Sequence, residues 1–250
     1  MEANVIVAQK KVGISLINFL IDKLKHTKII LIIDRNEKRF FNSVIKKINI
    51  NTYYINDEFE EEINFDGGYY FNWLLNIWGG HIFSEKFISN FKNTLNIHPS
   101  FLPFFRGRDP IVWAIVNDFY AGVTFHKISN NIDEGEIIFQ KKINYNFPER
   151  GIDLYERVLN ETIDFFMLKW DSIYNQNFKL KTQNPKKPQK IFKRKDLINH
   201  RTIDLDIQEN NTIKKFLLKV LAYDFANKYS IIIKYKNKKY SLKLNIHNYE

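Results

Sequence analysis

The sequence predicts an α/β fold: a mostly parallel sheet with helices on both faces, followed by a small C-terminal region of one helix and a β-hairpin. Three observations carry this. Short β-branched apolar runs alternate with segments of helical apolar spacing from the N-terminus to residue 98. A stretch with two prolines and dense positive charge, 183–195, then interrupts the chain. Beyond it, two apolar runs flank a lysine-rich turn. With 250 residues at 44% hydrophobic content the chain can bury a core, which excludes a disordered or fibrous polymer.

Residues 4–8 (NVIVA) and 28–34 (KIILIID) read as buried strands. Between them Val12, Leu16, Phe19, Leu20 and Leu24 share one helical face, giving a βαβ opening. Asp34 and Asn36 are candidate caps for a helix through Phe40, Val44 and Ile48. Residues 52–55 (TYYI), 68–75 (GYYFNWLL) and 94–98 (TLNIH) read as further strands, so the core is Rossmann-like. Asp109 and Pro110 open a predicted helix, DPIVWAIVNDF, with Asp109 as cap and Pro110 in the first turn. Residues 121–127 (AGVTFHK) and 136–143 (EIIFQKKI) flank the polar loop SNNIDEG. A helix over 150–174 carries Leu154, Val158, Ile163, Phe166 and Trp170. After the basic stretch come a helix over 211–223 and a hairpin, YSIIIKY then SLKLNIH, joined by KNKK. The expected organisation is a catalytic domain over 1–182, a basic linker over 183–195 and a C-terminal region over 196–250.

The net charge of +10 admits a polyanionic partner, but Lys and Asn are used heavily everywhere, as in a compositionally biased genome that spends them as generic polar residues. No apolar run approaches the roughly 20 residues a membrane span needs. The first residues lack the basic-then-apolar order of a secretory leader. Without cysteine there are no disulfides, thiol nucleophiles or zinc–thiolate sites. The expectation is a soluble, cytoplasmic protein with no metal.

The most informative stretch is NIHPSFLP (96–103), with Arg106-Gly107 just after. Alternate strand residues share a face, so Asn96 and His98 point together while Ile97 turns into the packing. Their place at the carboxyl end of a strand is where open α/β sheets bind ligands. Asp133 lies in the loop between the next two strands, which can return a carboxylate to the same edge. Taken singly, each residue has an ordinary reading: a core histidine, a strand-end asparagine, an Asx-turn aspartate. Together they suit attack of an amine on an activated carbonyl. An amide NH₂ can stabilise the oxygen that gains charge, an imidazole can accept the amine's proton, and a carboxylate can orient that imidazole.

NIHPSFLPFFRG (96–107), GVTFH (122–126) and NIDEGEII (131–138) together resemble the formyltransferase family that uses 10-formyltetrahydrofolate. That family includes glycinamide ribonucleotide, methionyl-tRNA and sugar-nucleotide N-formyltransferases. The resemblance implies that Asn96 holds the formyl oxygen, His98 carries the proton and Asp133 positions His98. It also implies a folate site. The loop Gly80-His81-Ile82-Phe83 with Ser84 would lend backbone groups to the pterin edge, Trp78 and Phe83 would be apolar walls, and Ser129, Asn130 and Asn131 would form the opposite wall. The aromatic pair reads equally as core, and His126 is open between shaping the pocket and filling the core.

AQKKVG (8–13) lacks the Gly- and Ser-rich phosphate loop of the glycinamide ribonucleotide enzymes. The length, short C-terminal hairpin and WGGHIFS loop most resemble the sugar-nucleotide N-formyltransferases. The implied acceptor is a nucleotide-linked, dTDP-type deoxy-amino sugar destined for O-antigen or related surface polysaccharide. Lys10, Arg194 and Lys195 are candidates for its diphosphate and Tyr223 for stacking on its base. The hairpin, with Ile231, Ile233 and Tyr235 on one face, suggests a homodimer. No nucleic acid and no membrane partner is expected. The alternatives are a methionyl-tRNA formyltransferase and a catalytically silent, polyanion-binding relative.

Overall fold

The computed structural model describes residues 1–48, 50–56, 58–183, 190–204, 212–226 and 229–247. The chain divides into two compact units that interleave along the sequence. One comprises Met1–His98, Thr124–Gln140 and Asn160–Gln183; the other Pro99–Val123, Lys141–Leu159 and Asn184–Glu250.

The first unit is built on a sheet whose earliest strands are β1 (Glu2–Ala8) and β2 (Lys28–Ile33), buried almost throughout. They pair in parallel, and covering on both faces is why they read as unbroken apolar runs. Helix α1 (Lys10–Lys23) connects them, burying Val12, Leu16, Ile17 and Leu20 as one stripe. A 3₁₀ turn over Arg35–Glu37, capped by the Asp34 carboxylate accepting from the Asn36 N–H, leads into α2 (Lys38–Ile48). Then follow β3 (Asn51–Tyr54), the short α3 (Phe59–Glu62), β4 (Tyr70–Ile77), the short α4 (Glu85–Ile88) and β5 (Asn93–His98).

After β6 (Arg106–Gly107) and α5 (Pro110–Val116), the strands β7 (Ala121–His126) and β8 (Ile137–Ile143) complete a seven-stranded sheet of order β3-β2-β1-β4-β5-β7-β8. β5 and β7 are antiparallel, so the sheet is mostly rather than wholly parallel. Helix α6 (Gly151–Tyr174) follows. Near one end of the sheet the Glu2 carboxylate accepts from the Tyr174 hydroxyl (2.7 Å) and from the amides of Asn4 (3.1 Å) and Asn72 (3.2 Å). Burial opposes ionisation of Glu2, but these hydrogen bonds outweigh it and hold the carboxyl below its ordinary range.

The second unit adds β9 (Ile191–Phe192), α7 (Arg194–His200), β10 (Thr202–Asp204), α8 (Ile213–Ala222), β11 (Ile231–Tyr235) and β12 (Lys238–Leu242). β9 pairs with β6, and Phe192 stacks on Trp113 at 4.3 Å. The expected linker is therefore structured from Ile191 onward, because its apolar pair Ile-Phe found a strand and an indole to cover it. Its prolines, at 185 and 188, lie outside the described residues, as does the first residue of the helix expected over 211–223.

Two local expectations are corrected. Asp109 precedes α5 in the left-handed region (φ 55°) and makes no side-chain cap; its carboxylate accepts from Arg194 at 3.4 Å instead. The hairpin turn is the two-residue Lys236-Asn237, both with positive φ, so the returning strand begins at Lys238 rather than after KNKK. β11 lies between β10 and β12, which buries Ile231 and half-buries Ile232 and Ile233 within one chain. Among the described residues no helix is long and apolar enough to cross a membrane.

Candidate active site

β4, β5 and β7 lie side by side, and their register puts Asn76, Asn96 and His126 in one row across three strands. His98 stands two residues beyond Asn96 on the same face, while Ile97 is buried on the other. Asn76, His98 and His126 are only 3%, 5% and 3% exposed. Polar groups so deeply placed cost free energy unless hydrogen-bonded, and Asn76 and His126 both make hydrogen bonds, with Asn76 Oδ1 the atom left over. The Asn76 amide donates to Asn96 Oδ1 (2.8 Å), Asn96 Nδ2 lies 2.9 Å from His126 Nε2, and His126 Nδ1 lies 2.7 Å from the carbonyl oxygen of Lys127.

A carbonyl can only accept, so His126 carries a proton on Nδ1, and in the neutral ring Nε2 is then the acceptor. That requires Asn96 to present its NH₂ to His126 and its oxygen to Asn76. With the ring neutral, the row is a directed chain of donors from Asn76 through Asn96 to His126.

Asp133 closes the constellation from the loop between β7 and β8. Its carboxylate lies 3.4 Å from His98 Nδ1, 3.5 Å from Asn96 Nδ2 and 3.6 Å from His126 Nε2. A carboxylate against Nδ1 favours the tautomer with Nε2 as the basic nitrogen. Asp133 itself sits at φ 54°, in the left-handed region that aspartate tolerates better than most side chains. The loop is pinned from two sides. Gln183 Nε2 donates to the carbonyls of Asp133 (3.0 Å) and Gly135 (2.7 Å), and the Lys127 N–H donates to the Glu136 carbonyl (2.9 Å). Gly135 crosses so close to the start of the loop that an added Cβ would stand 1.8 Å from the Lys127 oxygen.

The sequence-named residues thus separate. Asn96, His98 and Asp133 come together. In the loop after β4, Trp78 is buried with φ 64°, Gly80 is exposed and Ile82 is 65% exposed. Phe83 stacks on Phe87 (5.7 Å) within a buried cluster with Phe59 and Phe91, so most of its ring is spent on packing. The His81 ring lies 2.9 Å from Glu60, whose carboxylate also accepts from the Ser84 N–H and hydroxyl and so anchors the loop. Ser129, Asn130 and Asn131 are exposed.

Lys10 is exposed at the start of α1, with its backbone N–H donating to Glu37 (2.7 Å). In the second unit Lys195 is exposed and Arg194 is ion-paired with Asp109. Tyr223 is fully buried, its hydroxyl donating to the Leu197 carbonyl at 3.2 Å, and burial pushes that hydroxyl's pKa up. It is not available to stack on a base, which corrects the sequence expectation.

Sequence reasoning passed over Asn76, Glu60 and Gln183. A lone amide inside the apolar run WLLNIW was the available signal for Asn76, since a buried amide implies a partner.

The sequence profile of the formyl transferase family matches residues 22–167, more than half of the chain. The chain belongs to that family. Among curated relatives, the dTDP-4-amino-4,6-dideoxyglucose formyltransferase of Mycobacterium tuberculosis (strain ATCC 25618 / H37Rv) is 29% identical over 132 residues, 52% of this chain and 55% of that enzyme. The chain thus matches little more than half the length of that relative. Among solved structures, a sugar N-formyltransferase from Shewanella sp FDAARGOS_354 superposes with a TM-score of 0.82 at 20% identity over 100% of both chains. An N-formyltransferase from Helicobacter canadensis, in complex with folinic acid and dTDP-3-aminofucose, gives 0.70 at 20% identity over 96% of this chain and 86% of that one. These likenesses establish the fold of this member of the family.

Proposed function

We propose that this formyl transferase moves a formyl group from 10-formyltetrahydrofolate to the amino group of a nucleotide-linked, dTDP-type deoxy-amino sugar. The observation that carries the reading is the meeting of Asn96, His98 and Asp133 at the carboxyl edge of the sheet. The loop after β4 suits a folate. Among the described residues, none makes a hydrogen bond to the backbone of Gly80, Ile82 or Phe83, so this edge has the donors and acceptors a pterin can use.

When bound, 10-formyltetrahydrofolate supplies the activated formyl carbon. One Asn96 N–H goes to His126 Nε2; the other, at only 3.5 Å from Asp133 Oδ1, is the one that would turn to the carbonyl oxygen as it gains charge, a contribution of order 10²–10³ in rate for one such donor. His98 Nε2 takes the proton that the attacking amine loses as the new C–N bond forms, and can return it to the departing folate nitrogen. Asp133 holds the tautomer and stabilises the charged ring. Lys10 is a candidate phosphate contact, and Arg194 and Lys195 are candidates on the second unit.

The names of the sugar-modifying relatives support the acceptor class. We place the activity in the cytoplasm, in the supply of formylated sugars to O-antigen or related lipopolysaccharide. We further assign a homodimer to the C-terminal hairpin, where Tyr235 and Tyr240 are exposed.

The test is tetrahydrofolate release by the full chain with 10-formyltetrahydrofolate and a panel of dTDP-linked 3-amino and 4-amino sugars, with methionyl-tRNA as the competing acceptor. Release with an amino sugar supports the reading; release with methionyl-tRNA alone, or with no acceptor, overturns it.

A further inference from the structure

We propose that Asn76 is the positioning residue that sets the working orientation of the Asn96 amide and ties it to the loop after β4. The inference rests on the formyl-transfer reading for its activity readout, and on geometry for the rest.

An asparagine side chain has two nearly isosteric ends, and only one can stabilise a developing negative charge. In the row across β4, β5 and β7 the choice is made from both sides. Asn76 Nδ2 donates to Asn96 Oδ1 at 2.8 Å, while the Lys127 carbonyl holds the His126 proton on Nδ1, so that the Nε2 of the neutral ring receives the Asn96 NH₂ at 2.9 Å. The other Asn76 N–H points to the carbonyl of Gly79 at 3.3 Å, at the start of the loop that faces the co-substrate in this reading. Asn76 therefore spends both donors, one on the catalytic amide and one on the loop.

Its Oδ1 is the end left over. It is buried and makes no hydrogen bond among the described residues, and it sits where a Cβ on residue 79 would approach within 2.1 Å. An unpaired buried oxygen is a cost that a fold dictated by stability alone would avoid by placing a hydrocarbon there. Its retention follows if the two N–H donors on the same amide are what the site needs. Residue 79 can then be only glycine, because a side chain there would strike the amide that must not move.

The experiment compares Asn76→Asp with Asn76→Ala. Aspartate keeps the shape but can only accept, so it faces the Asn96 oxygen with a second acceptor. If Asn96 turned over to satisfy it, an oxygen would meet the lone pair of His126 Nε2. The expected result is a fall in kcat of about 10²-fold for Asn76→Asp, and a smaller fall for Asn76→Ala, with the acceptor KM within about threefold of wild type. Independently of turnover, the side-chain NH₂ resonances of Asn96, assigned by their absence in Asn96→Ser, shift in Asn76→Asp.

Wild-type kcat together with unshifted Asn96 resonances in Asn76→Asp would overturn the proposal. Should Asn76→Asp fail to fold, the same two readouts on Asn76→Ala decide. A wild-type enzyme inactive toward every amino sugar sinks the functional reading, and the resonance shift still decides the role of Asn76.

Discussion

Replacing Gly135 by alanine tests how the carboxylate loop is held. The new Cβ would lie 1.8 Å from the Lys127 oxygen, 2.7 Å from its carbonyl carbon and 3.3 Å from His126 Nδ1. Ordinary contact requires roughly 3.2–3.5 Å to such atoms, so the two arms of the loop must part by more than about 1 Å. Both atoms at the closest approach are backbone, so no side-chain rotation relieves the overlap.

Overpacking of this kind costs about 1–3 kcal/mol, or about 2–4 °C in melting temperature per kcal/mol in a chain of this size. Asp133 stands two residues away, and its 3.4 Å contact with His98 Nδ1 has little length to give. A displacement near 1 Å at a reacting group lowers turnover on the order of 10²-fold. The assay is tetrahydrofolate release beside thermal unfolding of the same preparation. A Gly135→Ala protein with wild-type kcat and an unchanged melting temperature would refute the packing argument and the positioning it supports.

Three further outcomes follow from the contacts described. Asp133→Asn keeps the size but removes the charge that fixes the His98 tautomer, so kcat falls by about 10²-fold with little change in stability, read by steady-state kinetics and calorimetry. Gln183→Leu removes both hydrogen bonds to the Asp133 and Gly135 carbonyls, at about 1 kcal/mol each, and lowers kcat on the order of tenfold. Tyr174→Phe takes a donor from Glu2, whose carboxyl is held below its ordinary range, and destabilises the fold by about 1 kcal/mol at neutral pH. The stabilisation from a lowered carboxyl is present above the unfolded pKa and disappears as pH falls through the folded one. The melting temperatures of Tyr174→Phe and wild type therefore converge below about pH 4.

The legible parts of the sequence were those where a local pattern has one physical solution. β1 and β2 are covered on both faces, so they appear as unbroken apolar runs, and the spacing Val12, Leu16, Leu20 can only be a helix stripe. Asn96 and His98 were found because alternation on a strand assigns side chains to faces without any knowledge of the neighbours. Asn76 was missed because its meaning depends on a strand partner twenty residues away. Glu60 hides in the acidic run EFEEE, which reads as solvated surface, although its carboxylate anchors Ser84. Tyr223 was misread because nothing local tells a tyrosine capped by its own unit's Leu197 carbonyl from one presenting its ring to a ligand. The basic stretch was read as linker on its charge, while the Ile191-Phe192 pair within it was enough to form a strand.

The most direct test of the account is single-turnover tetrahydrofolate release by His98→Asn, supplied with 10-formyltetrahydrofolate and the best dTDP-amino sugar. Asparagine fills the space of the imidazole's first ring atoms but cannot take a proton, so release should fall by about 10²–10⁴-fold while the circular dichroism and melting temperature stay near wild type. A folded His98→Asn protein that turns over at the wild-type rate would contradict it.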